Sequence, residues 1–331
     1  MRDGPRLTDA SGLPPDVRET VVTVGTFDGV HLGHREVLAR LVARSRETGR
    51  PSALVTFDPH PLEVVNPAAA PPLLTVGEEK LELLAESGID YVIVVPFTTN
   101  LSHHTPEQFV DVVLRSRARM AELLIGYDHG FGRGRTGDVE ILQALGARDG
   151  FRVEVVPPYT VGDGRPISST SIRRAVAGGD LQRAAASLGR LYSVAGRVVR
   201  GDQRGRLLGY PTINLPLPAP RKLLPPEGVY AVVVQTPVGP HGGMMNLGPR
   251  PTFADPSLAL EVHLFDAEVS LYGAHVRIDF LTRLRDTMRF PDATALIAQL
   301  GRDEEAARRA LTLRNAFPNV PSSPATLTSA P

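Results

Sequence analysis

The sequence predicts two domains, a parallel α/β sheet followed by a small all-β barrel, and three observations carry that expectation. Short β-branched runs alternate with helical patterns across residues 21–156, the mark of a parallel sheet covered by helices. From residue 192, strand-like segments follow one another across Gly/Pro turns with no helix between them, as in a small closed barrel. The chain has 331 residues, room for about two domains at ~150 residues each.

Composition narrows the chemistry. Lys plus Arg and Asp plus Glu number 36 each, a formal net charge of zero, so no chain-wide field draws nucleic acid or anionic lipid. There is no cysteine, which removes disulfides, thiolate nucleophiles and Cys-ligated metals and fits a cytoplasmic chain. The densest apolar run, residues 91–97, is far shorter than the ~20 residues of a membrane span. The two lysines, Lys80 and Lys222, follow Glu79 and Arg221. Neither sits in the Gly-Lys-Ser/Thr of a P-loop.

Residues 1–17 read as a flexible N-terminal segment. The α/β strands are expected at 21–25, 52–57, 91–96, 120–126 and 151–156; Tyr91-Val92-Ile93-Val94-Val95 is apolar on both faces, as a strand covered on two sides requires. After the first strand, residues 35–48 gather Val37, Leu38, Leu41 and Val42 on one helical stripe that stops at Gly49. Thr105-Pro106-Glu107-Gln108 is a capping box with Pro at the first helical position. Helices at 169–177 and 180–188 precede barrel strands at 192–200, 212–215, 228–236, 244–247, 259–265 and 275–281. A helix from 293 to about 311 closes the barrel, and residues 316–331, rich in Pro, Ser, Thr and Ala, read as a disordered tail.

The first strand runs straight into Gly25-Thr26-Phe27-Asp28-Gly29-Val30-His31-Leu32-Gly33-His34, with a helix expected from His34. A helix N-terminus presents unpaired N–H groups and about half a positive charge. Glycines there let the backbone approach a phosphate, and His31 and His34 are able to donate to phosphate oxygens as charge builds on them. A bare His-x-x-His is as readily a structural pair, or a metal pair lacking a third ligand. Its placement directly after the first strand favours the phosphate. Residues 132–137 fit G-x-G-x-x-G, but they follow the fourth predicted strand rather than the first, so a dinucleotide fold is not expected.

The stretch from Gly25 to His34 resembles the signature of nucleotidyltransferases with a His-x-Gly-His motif, in the form found in bacterial bifunctional riboflavin kinase/FAD synthetases. Later motifs of that family have counterparts in order: Thr56-Phe57-Asp58-Pro59-His60-Pro61, the stretch from Gly126 to Asp138, and Ile167-Ser168-Ser169-Thr170-Ser171-Ile172-Arg173. The resemblance implies a nucleotidyltransferase-type, Rossmann-like domain over residues 18–187. It implies that Gly25, Thr26, Phe27, Asp28, Gly33, Ser168, Ser169 and Thr170 bind the nucleotide. His31, His34 and Arg173 would stabilise charge on the transferring phosphates, and Asp58, His60, Asp128 and Phe131 would contact the flavin. Alone, Ser168 to Thr170 before a helix is an ordinary cap.

In the barrel, residues 200–215 form a glycine- and arginine-rich loop leading into a strand, where glycines permit a backbone nest and arginines add charge. Thr212 and Asn214 lie two apart and share a strand face, offering a hydroxyl and an amide oxygen to a hard cation. Without the loop, they read as a polar strand face beside a turn. Glu261 and His263 alternate likewise, and a carboxylate there is able to take a proton from a primary hydroxyl, worth ~10²–10⁴ in rate; a lone strand Glu is ordinarily a solvated charge. These segments resemble the Pro-Thr-x-Asn and Val-Glu-Val-His-Leu motifs of riboflavin kinases. The resemblance implies an antiparallel β-barrel kinase domain with a C-terminal helix over residues 188–315. Thr212 and Asn214 would hold magnesium and ATP phosphates, with Gly205, Arg206 and Gly209 around the nucleotide. Glu261 would act as general base on the ribityl 5′-hydroxyl, and Arg283 and Arg285 would lie against the flavin. Thr287 stands where that family commonly has an acidic residue, which implies a weaker flavin contact.

Joined, the two halves imply phosphorylation of riboflavin to FMN by Mg-ATP and adenylylation of FMN to FAD with release of pyrophosphate. No permanently bound cofactor, nucleic acid or membrane is expected, and the oligomeric state is not readable. A monofunctional adenylyltransferase with an inactive, flavin-binding barrel is the alternative, against which Glu261, Thr212 and Asn214 weigh. A nucleic-acid-binding protein is disfavoured by zero net charge and the lack of Trp.

Overall fold

The structure, a computed structural model, describes residues 6–8, 12–127, 137–161, 165–201, 204–216, 220–249, 258–267 and 269–316. The chain divides into two compact units, Met1–Ser169 and Thr170–Pro331.

In the first unit, strands β1 (Arg6–Thr8), β2 (Thr20–Val24), β3 (Ser52–Asp58), β4 (Tyr91–Pro96), β5 (Met120–Gly126) and β6 (Arg152–Val156) form one sheet in the order β1-β4-β3-β2-β5-β6. Every pairing is parallel. The helices are α1 (Leu32–Thr48), α2 (Pro61–Val65), α3 (Gly77–Ala85), α4 (Thr99–Ser102), α5 (Pro106–Phe109) and α6 (Val139–Asp149). Val22 and Val24 of β2 join Phe109, Val113 and Leu142 in one core, whereas Val21 joins Leu38, Leu41 and Leu84 in the other. Both faces of the strand are therefore covered, which is why all five residues of β2 are buried. Leu38 and Leu41 are fully buried, contributing about 1.5–3 kcal/mol each.

The strand order places the site. From β2 the chain moves through β3 to β4, then returns to add β5 and β6 on the other side of β2. The carboxyl end of β2 is thus the switch point at which open α/β sheets hold ligands.

Local signals account for most boundaries. Thr105 forms the expected capping box, with Pro106 at the first position, and the helix continues as a π-helical stretch, Val110–Arg117. Helix α1 begins at Leu32, two residues before the expected start, because His31 is its N-cap and accepts the His34 N–H at Nδ1. The segment expected to be flexible holds β1, paired with β4, and buried Leu13 and Val17. A three-residue strand with exposed Arg6 and Leu7 offers no alternation for a sequence reading to find.

A two-stranded ladder, β7 (Thr160–Val161) with β8 (Arg165–Pro166), precedes α7 (Ser169–Ala177). The second unit continues with α8 (Leu181–Leu188), β9 (Ser193–Arg197), α9 (Arg204–Leu207), β10 (Ile213–Leu215), β11 (Gly228–Thr236), β12 (Gly239–Pro249), β13 (Leu258–Leu264), β14 (His275–Arg285) and α10 (Ala293–Ala316). The strands form an antiparallel sheet in the order β10-β13-β12-β11-β14-β9. Its two outer strands approach closure where the Val199 N–H donates to the Asn214 carbonyl at 2.8 Å, which leaves little open edge. Tyr230, Val232, Val262 and Phe280 fill the interior at 0% exposure. Helix α10 packs Ala307, Leu300 and Leu311 around Ala231, Met244 and Phe265. Gly242 makes that fit possible, since a Cβ there would stand 2.7 Å from Leu311.

Candidate active sites

The loop after β2 is built on strained backbone. Phe27 and Val30 have φ of 47° and 39°, left-handed values that cost a non-glycine residue about 1–3 kcal/mol each. Both side chains are buried in the core around Leu38 and Leu41, and that burial holds the turn. The turn brings the His31 and His34 rings into a stack, with centroids 3.6 Å apart and planes 15° from parallel; Phe27 lies 4.8 Å from the His34 ring. Gly33 leaves room for this, because a Cβ there would stand 3.3 Å from the His31 ring. His31 Nδ1 accepts the His34 N–H at 3.2 Å, so the neutral imidazole carries its proton on Nε2.

Asp28 is 2% exposed, and its carboxylate accepts the N–H groups of Leu74 at 2.9 Å and Thr75 at 3.0 Å. The Gly29 N–H returns a bond to Thr75 Oγ1 at 3.0 Å. These bonds fasten the loop to the segment ahead of α3. Ser169 Oγ donates to the Asp28 carbonyl at 2.9 Å, so the structure joins Ser169 to the loop from Gly25 to His34, while Ser168 precedes α7 and Thr170 and Arg173 lie on it. Asp58 and His60 lie at and just beyond the carboxyl end of β3, where His60 caps α2 by accepting the Leu62 N–H at 3.2 Å. Asp128 and Phe131 lie outside the described residues, as do residues 132–136 of the G-x-G-x-x-G run.

Sequence reasoning assigned no role to Lys80. Its Nζ donates to Thr56 Oγ1 at 2.9 Å, and burial pushes its ammonium down to about 8, while the carboxylates of Asp28 and Asp58 pull the other way. A lysine next to Leu81 and ahead of Leu83 and Leu84, on a helix whose apolar side enters the core, was the available signal.

In the second unit, the register brings three polar residues into a row. Asn214 on β10 pairs with Glu261 on β13, which pairs with Asn246 on β12. Directly opposed residues share a face, so a carboxylate stands flanked by two amides. Sequence reasoning assigned no role to Asn246, because alternation gives a residue's face but not its cross-strand partner. Asn214 is 5% exposed, and its Oδ1 has no hydrogen-bond partner among the described residues. Gly201 lies against this amide: a Cβ there would collide with it. Thr212 immediately precedes β10 and is half-buried. Gly205 and Arg206 fall in α9, and Gly209 turns the chain at φ 84°. His263 Nδ1 bonds the Pro211 carbonyl at 2.8 Å, which ties β13 to the segment before Thr212.

The two arginines expected against the flavin have protein partners. Arg283 donates to the Glu227 carbonyl and pairs with Asp286. Arg285 forks onto Asp303, Nε to Oδ1 at 2.9 Å and Nη2 to Oδ2 at 2.6 Å, and so fastens β14 to α10. Thr287 sets its methyl group beside Gly248, where a Cβ would lie 3.0 Å away.

Comparison with known proteins bears out the family resemblance and the α/β-plus-barrel fold. Residues 13–171 match the FAD synthetase family and residues 188–311 the riboflavin kinase family. A bifunctional riboflavin kinase/FMN adenylyltransferase of Escherichia coli (strain K12) is 41% identical over 289 residues, covering 87% of this chain and 91% of the relative. One from Pseudomonas fluorescens is 39% identical over 297 residues, 89% of this chain and 94% of the relative. A solved structure from Streptococcus pneumoniae, described as a macrolide-efflux protein, aligns with a TM-score of 0.79 at 29% identity over 91% of this chain and 98% of its own. With both matches carried on one polypeptide, the chain belongs to the family of bifunctional riboflavin kinase/FMN adenylyltransferases.

Proposed function

We propose that the second unit phosphorylates riboflavin to FMN and that the first unit joins FMN to the adenylyl group of ATP, giving FAD and pyrophosphate. The observation that carries this reading is that each unit holds its own arrangement suited to phosphate chemistry, the stacked His31/His34 pair in one and the Asn214-Glu261-Asn246 row in the other.

In the kinase step, Glu261 takes the proton from the ribityl 5′-hydroxyl as that oxygen attacks the γ-phosphorus of ATP and ADP leaves. Asn246 stands beside the carboxylate in the register and orients it. Thr212 and Asn214 would hold magnesium: a buried amide oxygen without a partner among the described residues is costly unless it finds a ligand, and magnesium takes oxygen ligands. Magnesium, when bound, neutralises charge spread over the phosphates. Gly205, Arg206 and Gly209 receive the nucleotide.

In the adenylyl step, an FMN phosphate oxygen bonds to the α-phosphorus of ATP while the bond to the bridging oxygen breaks. His31 and His34 donate to oxygens on which charge grows, His31 from Nε2, at the positive end of α1. Arg173 clamps the pyrophosphate through its planar fork. Gly25, Thr26, Phe27, Ser168, Ser169 and Thr170 shape the nucleotide pocket, and Asp58, His60, Asp128 and Phe131 the flavin side. No covalent enzyme intermediate is needed, and the reading calls for no nucleic-acid or membrane partner.

The test is incubation of the purified chain with riboflavin and Mg-ATP, followed by chromatography of the flavins. FMN and then FAD are expected, and chelation of divalent ions is expected to stop both. Riboflavin left unchanged would overturn the reading.

A further inference from the structure

Helix α3 brings to the first site a cation that the reaction as drawn leaves unused. Lys80 is half-buried and bonds Thr56 Oγ1 at 2.9 Å. Thr56 is 2% exposed, and its hydroxyl donates to the Thr26 carbonyl at 3.4 Å. Thr26 belongs to the loop between β2 and α1, and that loop is fastened a second time, through Asp28 and Gly29, to Leu74 and Thr75 just ahead of α3. Lysine charge is expensive to bury, and Lys80 stands on a helix whose Leu83 and Leu84 are buried in the core. The charged groups that face the ammonium are Asp28, from the turn after β2, and Asp58, at the end of β3. Two carboxylates beside a site for two anionic substrates repel them unless a fixed cation offsets the field.

We propose that Lys80 is a positioning residue for adenylyl transfer: through Thr56 it sets the backbone of residues 26–28 at the mouth of β2, and its ammonium balances Asp28 and Asp58 where the phosphates approach. The inference rests on the adenylyl-transfer reading above. Burial outweighs the two carboxylates and brings the ammonium to about 8, so the wild-type reaction loses the required cation as pH rises through that value.

FAD formation from FMN and Mg-ATP is measured across pH for the full chain, for Lys80→Met and for Lys80→Arg. Wild-type kcat/KM is expected to fall as pH passes about 8. Lys80→Met is expected to run about 10-fold to 100-fold slower at neutral pH, without that alkaline limb. Lys80→Arg, whose charge does not titrate in this range, is expected to recover much of the rate and hold it past the wild-type limb. FMN formation from riboflavin stays unchanged in both variants. Wild-type kcat/KM in Lys80→Met, or an alkaline limb near pH 8 kept by Lys80→Arg, would overturn the role of Lys80 while FAD synthesis stands. A wild-type chain that forms no FAD overturns the reading beneath it as well. Should Lys80→Met not fold, the profile of Lys80→Arg decides.

Discussion

Phe27 and Val30, residues that avoid left-handed backbone, adopt it at the mouth of β2, and no local pattern in the sequence announces this. The histidines themselves were legible, because type, spacing and position after a strand are all properties of a short string. The partners of Asp28 were not: Leu74 and Thr75 lie 46 and 47 residues away, beyond the reach of any motif. The same limit hid Thr56 from Lys80. Gly201 gives a direct test at this scale. Gly201→Ala places a methyl group on the Asn214 amide and displaces an oxygen assigned to magnesium. Riboflavin kinase kcat/KM is expected to drop about 10-fold to 100-fold, with FAD formation from supplied FMN unchanged. Steady-state kinetics on the two half-reactions check this, and an unaltered kinase would remove Asn214 from the site.

Elements with strong local signals were placed well from sequence, and those held by distant partners were not. The stripe of α1 and the Thr105 capping box are written in adjacent residues. The start of α1 was displaced because His31, an unusual cap, accepts the bond that Ser, Thr, Asp or Asn ordinarily takes. The long ends of β12 and β14 carry glycines, threonine and arginines, so they gave no alternation to read. Register is a further layer: nothing in a single strand tells that Glu261 faces both Asn214 and Asn246. The tie between β14 and α10 is testable here. Asp303, 3% exposed, takes the fork of Arg285 and the amide of Gln299. Asp303→Ala leaves a guanidinium without its counter-charge and is expected to cost about 3–5 kcal/mol. Denaturant unfolding followed by circular dichroism reads that loss in the second unit, and an unmoved midpoint would show that the pair does not secure α10.

Over the whole molecule, the two-part organisation was the most legible feature, since a change from alternating strand and helix to strand after strand spans many tens of residues. The central claim is that two distinct centres on one polypeptide perform successive steps on the same flavin. It is tested most directly by separating them: Glu261→Ala, and His31→Ala combined with His34→Ala, are assayed for FMN formation from riboflavin and for FAD formation from supplied FMN. Glu261→Ala is expected to lose FMN formation by at least about 10²-fold while retaining FAD formation, and the double histidine variant to show the reverse. Equal loss of both products in either variant would contradict the account.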